Sequence, residues 1–374
     1  MPNHRAPGEG SLVHRSDGRW QASVQLDGVR RTFYGKTRSE ALAKLRAATE
    51  QAAKAGGRFP SAGAVTLADF LTDWLAQAKP RLRPKTYERY ESVVRLHVVP
   101  KLGAVKLAKL TPRQLAAHFA GLAEGTGART CQIAYRTLRK ALGDAQRWGL
   151  IATNPAAAID GPKAEPAERV LWTPEQARAF VGALAAGAGG HYGPLFGFLL
   201  GSACRLGEAC GLRWSDVDWP AGTVRIERQV TWAQNKPVEL PPKSAAGRRT
   251  VALPDWTTAL LRAQRARQTE LRLRAGREWR GAEAIFTSET GYAPTPSNVR
   301  RALVACCRRL GLPVLAVHSL RSESLSLAAG AGVPLKVLQA RAGHASPLLT
   351  LARYQHALGD ADRQAADALA RAIG

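Results

Sequence analysis

Residues 201–219 read GSACRLGEACGLRWSDVDW, and the pair that matters in them is Arg205 with Glu208 three positions on. On a helix that spacing puts both side chains on one face, where the carboxylate can orient the guanidinium. A guanidinium held in one orientation presents a planar fork of donors that matches oxyanions such as phosphate. Arg213, in the same stretch, is a competitor for that role.

Working outward, three later segments supply more cations and proton carriers. Strands are expected at about 223–233 and 248–253, with Lys243 of PPKSAAGRRTVAL on the turn between them and Arg248 or Arg249 as its alternatives. In VHSLRSES, His318 and Arg321 stand one helical turn apart. In ARAGHASPLLTLARY, His344 precedes Tyr354. Singly these are weak signals, since a lone HxxR recurs by chance and a lone tyrosine usually packs. Two tyrosines follow Tyr192: Tyr292, in the turn-like SETGYAPT, and Tyr354, which is either a surface aromatic or a nucleophile.

The rest of the chain says what such a cluster would act on. Lysine and arginine number 54 against 29 acidic residues among 374, a formal charge of +25 that makes a polyanion the natural partner. The excess is spread over the chain, with +6 in residues 1–60, +8 in 61–160 and +11 in the remainder. Several segments are therefore expected to face nucleic acid, rather than one basic tail. The five cysteines have no repeated CxxC spacing and read as reduced thiols of a cytoplasmic protein; no metal is expected. MPNHRAPGEG lacks the apolar centre of a secretion signal, and no run approaches the ~18 apolar residues of a spanning helix.

Residues 11–34 place Asp17-Gly18 and Asp27-Gly28 between short alternating segments, the pattern of a three-stranded antiparallel sheet, and the helical run TRSEALAKLRAATEQAAKAGG follows. From Thr66 the pattern turns helical and predicts a four-helix domain ending near Asn154-Pro155, with Leu67, Phe70, Leu71, Trp74 and Leu75 on one inward face. Its polar faces carry Arg83, Lys85, Arg89, Arg129, Arg136, Arg139 and Lys140, which in so basic a chain point to phosphate contact. A third region opens on a capping box, Thr173 with Gln176, and is mostly helical.

Taken together, GLRWSDVDW, PKSAAGRRTVAL, LAAGAGVPLKVLQARAGHAS and RYQHAL resemble tyrosine recombinases of the phage integrase family, whose hallmark order is Arg, Lys, His-x-x-Arg, His or Trp, then Tyr. The resemblance implies a mostly α fold with small β elements in three domains. These are an arm-type DNA-binding domain with its linker (1–60), a helical SAM-like core-binding domain (64–160) and a mixed α/β catalytic domain (170–374). It implies that Arg205 and Arg321 bind the scissile phosphate, Lys243 protonates the leaving 5′-hydroxyl, His318 assists proton transfer and His344 hydrogen-bonds the phosphate. Tyr354 would attack phosphorus. It also implies double-stranded DNA with core and arm-type sites as substrate, a homotetramer in the synaptic complex, and accessory bending and excision proteins; residues 359–374 either dock on a neighbouring subunit or pack on their own. No cofactor is called for, because the covalent link conserves the bond energy.

The chain departs from the family text at two places. Glu323 sets a carboxylate two residues after Arg321, where it is expected to repel DNA or quench the arginine. Ala342 stands where the family commonly has leucine. Two rivals follow: a type IB topoisomerase-like strand transferase, and a DNA-binding protein that has lost catalysis, which Glu323 favours.

Overall fold

The computed structural model describes residues 11–26, 29–54, 65–164, 170–281 and 283–344, together with 366–367, 369–371 and 373. The chain divides into two compact units, Met1–Pro166 and Ala167–Gly374.

The first unit opens on an antiparallel sheet of β1 (Ser11–His14), β2 (Trp20–Leu26) and β3 (Val29–Gly35), in that order, followed by α1 (Arg38–Lys54). Gly18 takes φ +78° in the first turn, and the Arg19 amide donates to Asp17 Oδ1 at 3.2 Å. The turn expected at Asp27-Gly28 lies outside the described residues. The helical part consists of α2 (Leu67–Ala78), α3 (Pro84–Val93), α4 (Val99–Leu102), α5 (Pro112–Thr126) and α6 (Ala128–Arg147).

Thr66 caps α2 as expected, accepting from the Asp69 amide at 3.2 Å while Asp69 reaches back to the Thr66 amide. Leu67, Phe70, Leu71, Trp74 and Leu75 are all buried, each worth roughly 1.5–3 kcal/mol relative to exposure. The Trp74 indole donates to Asp144 on α6 at 2.7 Å, joining the first and last helices of this part. Between α3 and α4 the chain makes a π-helical turn, Val94–Val98, just before Pro100, which has no N–H to give to a carbonyl four residues back.

The second unit starts with α7 (Pro174–Ala185), capped by Thr173 and Gln176, then the apolar α8 (Gly193–Ser202) and the short α9 (Leu206–Cys210). The strands are β4 (Val217–Asp218), β5 (Thr223–Ile226), β6 (Gln229–Ala233), β7 (Lys236–Leu240) and β8 (Arg249–Ala252), followed by α10 (Asp255–Ala275), α11 (Pro296–Arg309), α12 (Val317–Gly330) and α13 (Leu335–Ala342). Antiparallel β4-β5-β8 form one sheet and β6-β7 a separate hairpin. Helix α8 is buried on every side and packs against both α10 and α12, in a core that includes Phe180, Phe196, Phe198, Leu261 and Leu320.

This arrangement corrects the expected strand over 223–233. The run breaks at Glu227-Arg228, where Arg228 turns to buried Asp216 at 2.5 Å. The second half then pairs with β7 through a two-residue turn in which Gln234 and Asn235 both have positive φ, +50° and +61°. Lys243 accordingly lies on the connection from β7 to β8. No described helix is long and apolar enough to cross a membrane.

Candidate active site

Arg205 sits at the cap of α9 rather than inside a helix, yet its pairing with Glu208 forms as the spacing requires. Arg205 Nη1 donates to Glu208 Oε1 at 2.6 Å and its backbone amide to Oε2 at 3.0 Å. Glu208 is buried, and a second arginine, Arg249, donates to its Oε2 at 2.9 Å. Burial alone would lift this carboxyl, but Arg249 and then Arg205 hold it below the ordinary carboxylate range. The chain reaches Arg205 through Ala203, a non-glycine residue with φ +57°. That conformation costs about 1–2 kcal/mol and aims the Ala203 carbonyl inward.

There it meets Arg321. This side chain on α12 is 1 % exposed, and its Nη1 donates to the Ala203 carbonyl at 2.7 Å. Nη2 donates to the Ala342 carbonyl at 2.6 Å and to His344 Nε2 at 2.9 Å. A guanidinium can only donate, so the neutral His344 ring is assigned its proton on Nδ1. Arg321 Nε has no acceptor among the described residues. Burial, and next the Arg205 charge, bring the Arg321 pKa down to about 10, which leaves it cationic at neutral pH. Two guanidiniums, those of Arg205 and Arg249, bond one carboxylate, and Arg321 feels its charge without bonding it; three cations against one anion leave a balance that favours an added anion.

His344 is delivered by Gly343, which ends α13 at φ +61°. A Cβ there would stand 2.8 Å from the Ala246 carbonyl and 2.9 Å from Arg249 Nη1. Gly343→Ala is expected to cost at least about 1–2 kcal/mol from the left-handed backbone alone, and to displace Arg249. Denaturant unfolding measures the first effect and DNA cleavage the second. Ala342, the small residue in the leucine position, is fully buried beside Ala203, Leu325, Ala329 and Leu338.

The remaining expected residues divide. Lys243 is exposed on the β7–β8 connection and His318 is exposed on the first turn of α12. The competitor Arg213 is taken up by Glu239, to which its Nη2 donates at 3.1 and 3.3 Å. Arg249, weighed as a stand-in for Lys243, is committed to Glu208 and is the supporting residue that the sequence alone did not identify. Tyr354 and most of residues 359–374 lie outside the described residues.

The expectation about Glu323 is corrected. Residues 321 and 323 lie about 200° apart around a helix, and the Glu323 carboxylate faces away from Arg321, accepting the Trp172 amide at 3.0 Å. Its burial pushes the carboxyl pKa up. A carboxyl with a raised folded-state pKa binds its proton more readily folded than unfolded, so its contribution favours folding at low pH and is lost as pH rises through the raised value. Glu323→Gln keeps an acceptor for Trp172 without the charge. Thermal melts are expected to show it stabilised at neutral pH, with the gain shrinking as pH falls toward the ordinary carboxylate range of about 4.

In the first unit, Arg136, Arg139 and Lys140 of α6 line one open cleft of ≈ 710 Å³, together with Arg147 and Lys163, which the sequence reading passed over. Arg139 lies over the Tyr135 ring, 5.9 Å from its centre. Arg83, Lys85, Arg89 and Arg129 are not in that cleft, and Lys85 pairs with Glu88 at 2.9 Å.

Clustered arginines held by carbonyls and one shared carboxylate make an anion site of the phosphate-handling class. The profile of the Phage integrase family matches residues 172–360, and that of the phage integrase N-terminal SAM-like domain matches 66–119. The chain belongs to the phage integrase family, the tyrosine recombinases that cleave and rejoin DNA strands. It is 27 % identical over 351 residues to a protein named tyrosine recombinase XerC-like from Caldanaerobacter subterraneus, covering 88 % of each chain. It is 28 % identical over 382 residues to the integrase of Mycobacterium phage L5, covering 97 % of this chain and 98 % of that one. In fold it is similar to the Tn1549 transposon integrase solved in complex with transposon right end DNA, with a TM-score of 0.66 and 20 % identity over 80 % of this chain and 99 % of that one.

Proposed function

We propose that this chain is a site-specific integrase that joins a mobile element to a host chromosome through a 3′-phosphotyrosyl intermediate. Arg205 and Arg321 grip the non-bridging oxygens of the scissile phosphate, and His344 adds a hydrogen bond. The Tyr354 hydroxyl attacks phosphorus, forming the tyrosyl–phosphorus bond as the bond to the 5′-oxygen breaks. Lys243 gives that oxygen its proton and His318 assists the transfer from the tyrosine. Attack by a 5′-hydroxyl from the partner duplex reverses the chemistry and joins the new strand.

The observation that carries this reading is Arg321: a buried guanidinium, fixed by two carbonyls and an imidazole, whose Nε has no acceptor among the described residues. A buried donor without a partner costs free energy, and a phosphate oxygen reaching it would recover that cost. Charge already in place needs no reorganisation as negative charge builds on the equatorial oxygens.

Residues 1–60 are assigned to arm-type sites, 64–160 to the core site through the cations of α3 and α6, and 170–374 to catalysis. Function would follow in a tetramer on two duplexes in the cytoplasm or nucleoid, with accessory bending and excision proteins. The resemblance supports this assembly. A core site selected from random duplexes on the protein tests the proposal. Exchange of flanks between two duplexes bearing that site is expected. Relaxation of a supercoiled one-site plasmid without exchange would favour a topoisomerase-like enzyme instead.

A further inference from the structure

Arg249 has no part in that scheme, yet it is bonded both to the carboxylate that orients Arg205 and to the backbone of the helix that leads to His344. Resting on that reading of Arg205 and His344, we propose that Arg249 and Arg341 form a reciprocal clamp that positions these two phosphate ligands relative to each other. Arg249 has a side chain only 7 % exposed. Its Nη2 donates to Glu208 Oε2, the same oxygen that takes the Arg205 amide. Its Nε donates to the Arg341 carbonyl at 2.7 Å and its Nη1 to the Gly247 carbonyl at 3.1 Å.

Arg341 returns the contact. Its Nη1 donates to the Ala252 carbonyl at 3.0 Å, at the far end of the strand that Arg249 begins, and its Nη2 to the Gly201 carbonyl near the end of α8. Each arginine therefore holds the backbone of the element that carries the other. One end of the clamp is the carboxylate orienting Arg205. The other is the last turn of α13, three residues before His344. Gly343 leaves the space that Arg249 occupies, since a Cβ there would press on its Nη1. A planar fork can donate in three directions at once, whereas a lysine ammonium on a flexible stem satisfies such a set poorly.

The test is single-turnover cleavage of a nicked core-site duplex by the full chain, with either a phosphodiester or a neutral methylphosphonate at the scissile position. Arg249→Ala is expected to bind the duplex as the wild type does and to cleave the phosphodiester roughly 10- to 100-fold more slowly, the range seen when a supporting partner is lost at metal sites. The methylphosphonate lacks the charge that a well-placed Arg205 stabilises, so the defect should shrink there, as it should for Arg205→Ala. The double variant should be no slower than Arg205→Ala alone. Arg249→Lys should stay slow, and it carries the test if the alanine variant does not fold.

Equal defects on the two linkages, additive losses in the double variant, or a rate within about twofold of wild type would overturn the clamp while leaving the enzyme's function standing. A wild type that binds the site and forms no adduct overturns the strand-transfer reading and the clamp with it.

Discussion

Arg321→Ala is expected to bind core-site DNA but to form the covalent adduct at least about 10²- to 10³-fold more slowly, the loss that follows removal of one fixed transition-state donor. The side chain supplies charge where the phosphate gains it, and it cross-links three parts of the site through the Ala203 carbonyl, the Ala342 carbonyl and His344. Alanine leaves both carbonyls without that donor, at about 1–3 kcal/mol for each acceptor that stays buried and unsatisfied. A lower melting temperature should accompany the lost rate. Arg321→Lys keeps a charge but not the planar fork, so it should remain severely impaired. Adduct formation by either variant at near wild-type rate would show that the buried guanidinium serves packing alone.

Tyr354→Phe is expected to abolish the adduct altogether while leaving site-specific binding intact. Phenylalanine removes one oxygen and nothing else, so a loss confined to chemistry assigns the nucleophile. An unperturbed phenol, with a pKa of about 10, is a poor nucleophile at neutral pH, and a field of arginines is one means of activating it. Tyr292→Phe is the matched control, since that ring is 56 % exposed on a separate turn. An adduct that survives Tyr354→Phe would require another nucleophile.

The helical architecture was legible because caps and periodicity agree: Thr66 and Thr173 start the helices that the apolar spacing continues, and Leu67 through Leu75 face inward as their spacing demands. Within the site, the Arg205–Glu208 pair was visible as a three-residue separation. The β6–β7 hairpin was not, because its turn is Gln234-Asn235 rather than a glycine-containing pair, and Asn235 alone, beside a glutamine that rarely takes positive φ, is a weak signal. Arg249 was weighed only as a stand-in for Lys243, although a signal for a buried, supporting role existed. Strand alternation places it on the same face as Val251, which is buried, while Thr250 between them is exposed. Glu323 was misjudged by linear distance, where helical periodicity would have turned it away from Arg321. Its hydrogen bond to Trp172 removes the feature that favoured a catalytically lost protein.

Strand transfer through Tyr354 is tested most directly by finding where the DNA is attached. The full chain is incubated without magnesium with a nicked core-site duplex, the adduct is digested with nuclease and trypsin, and the peptides are sequenced by mass spectrometry. The predicted product is YQHALGDADR, residues 354–363, carrying a nucleotide on its single tyrosine. A nucleotide on any other residue, or no adduct on a duplex that the protein binds specifically, would contradict it.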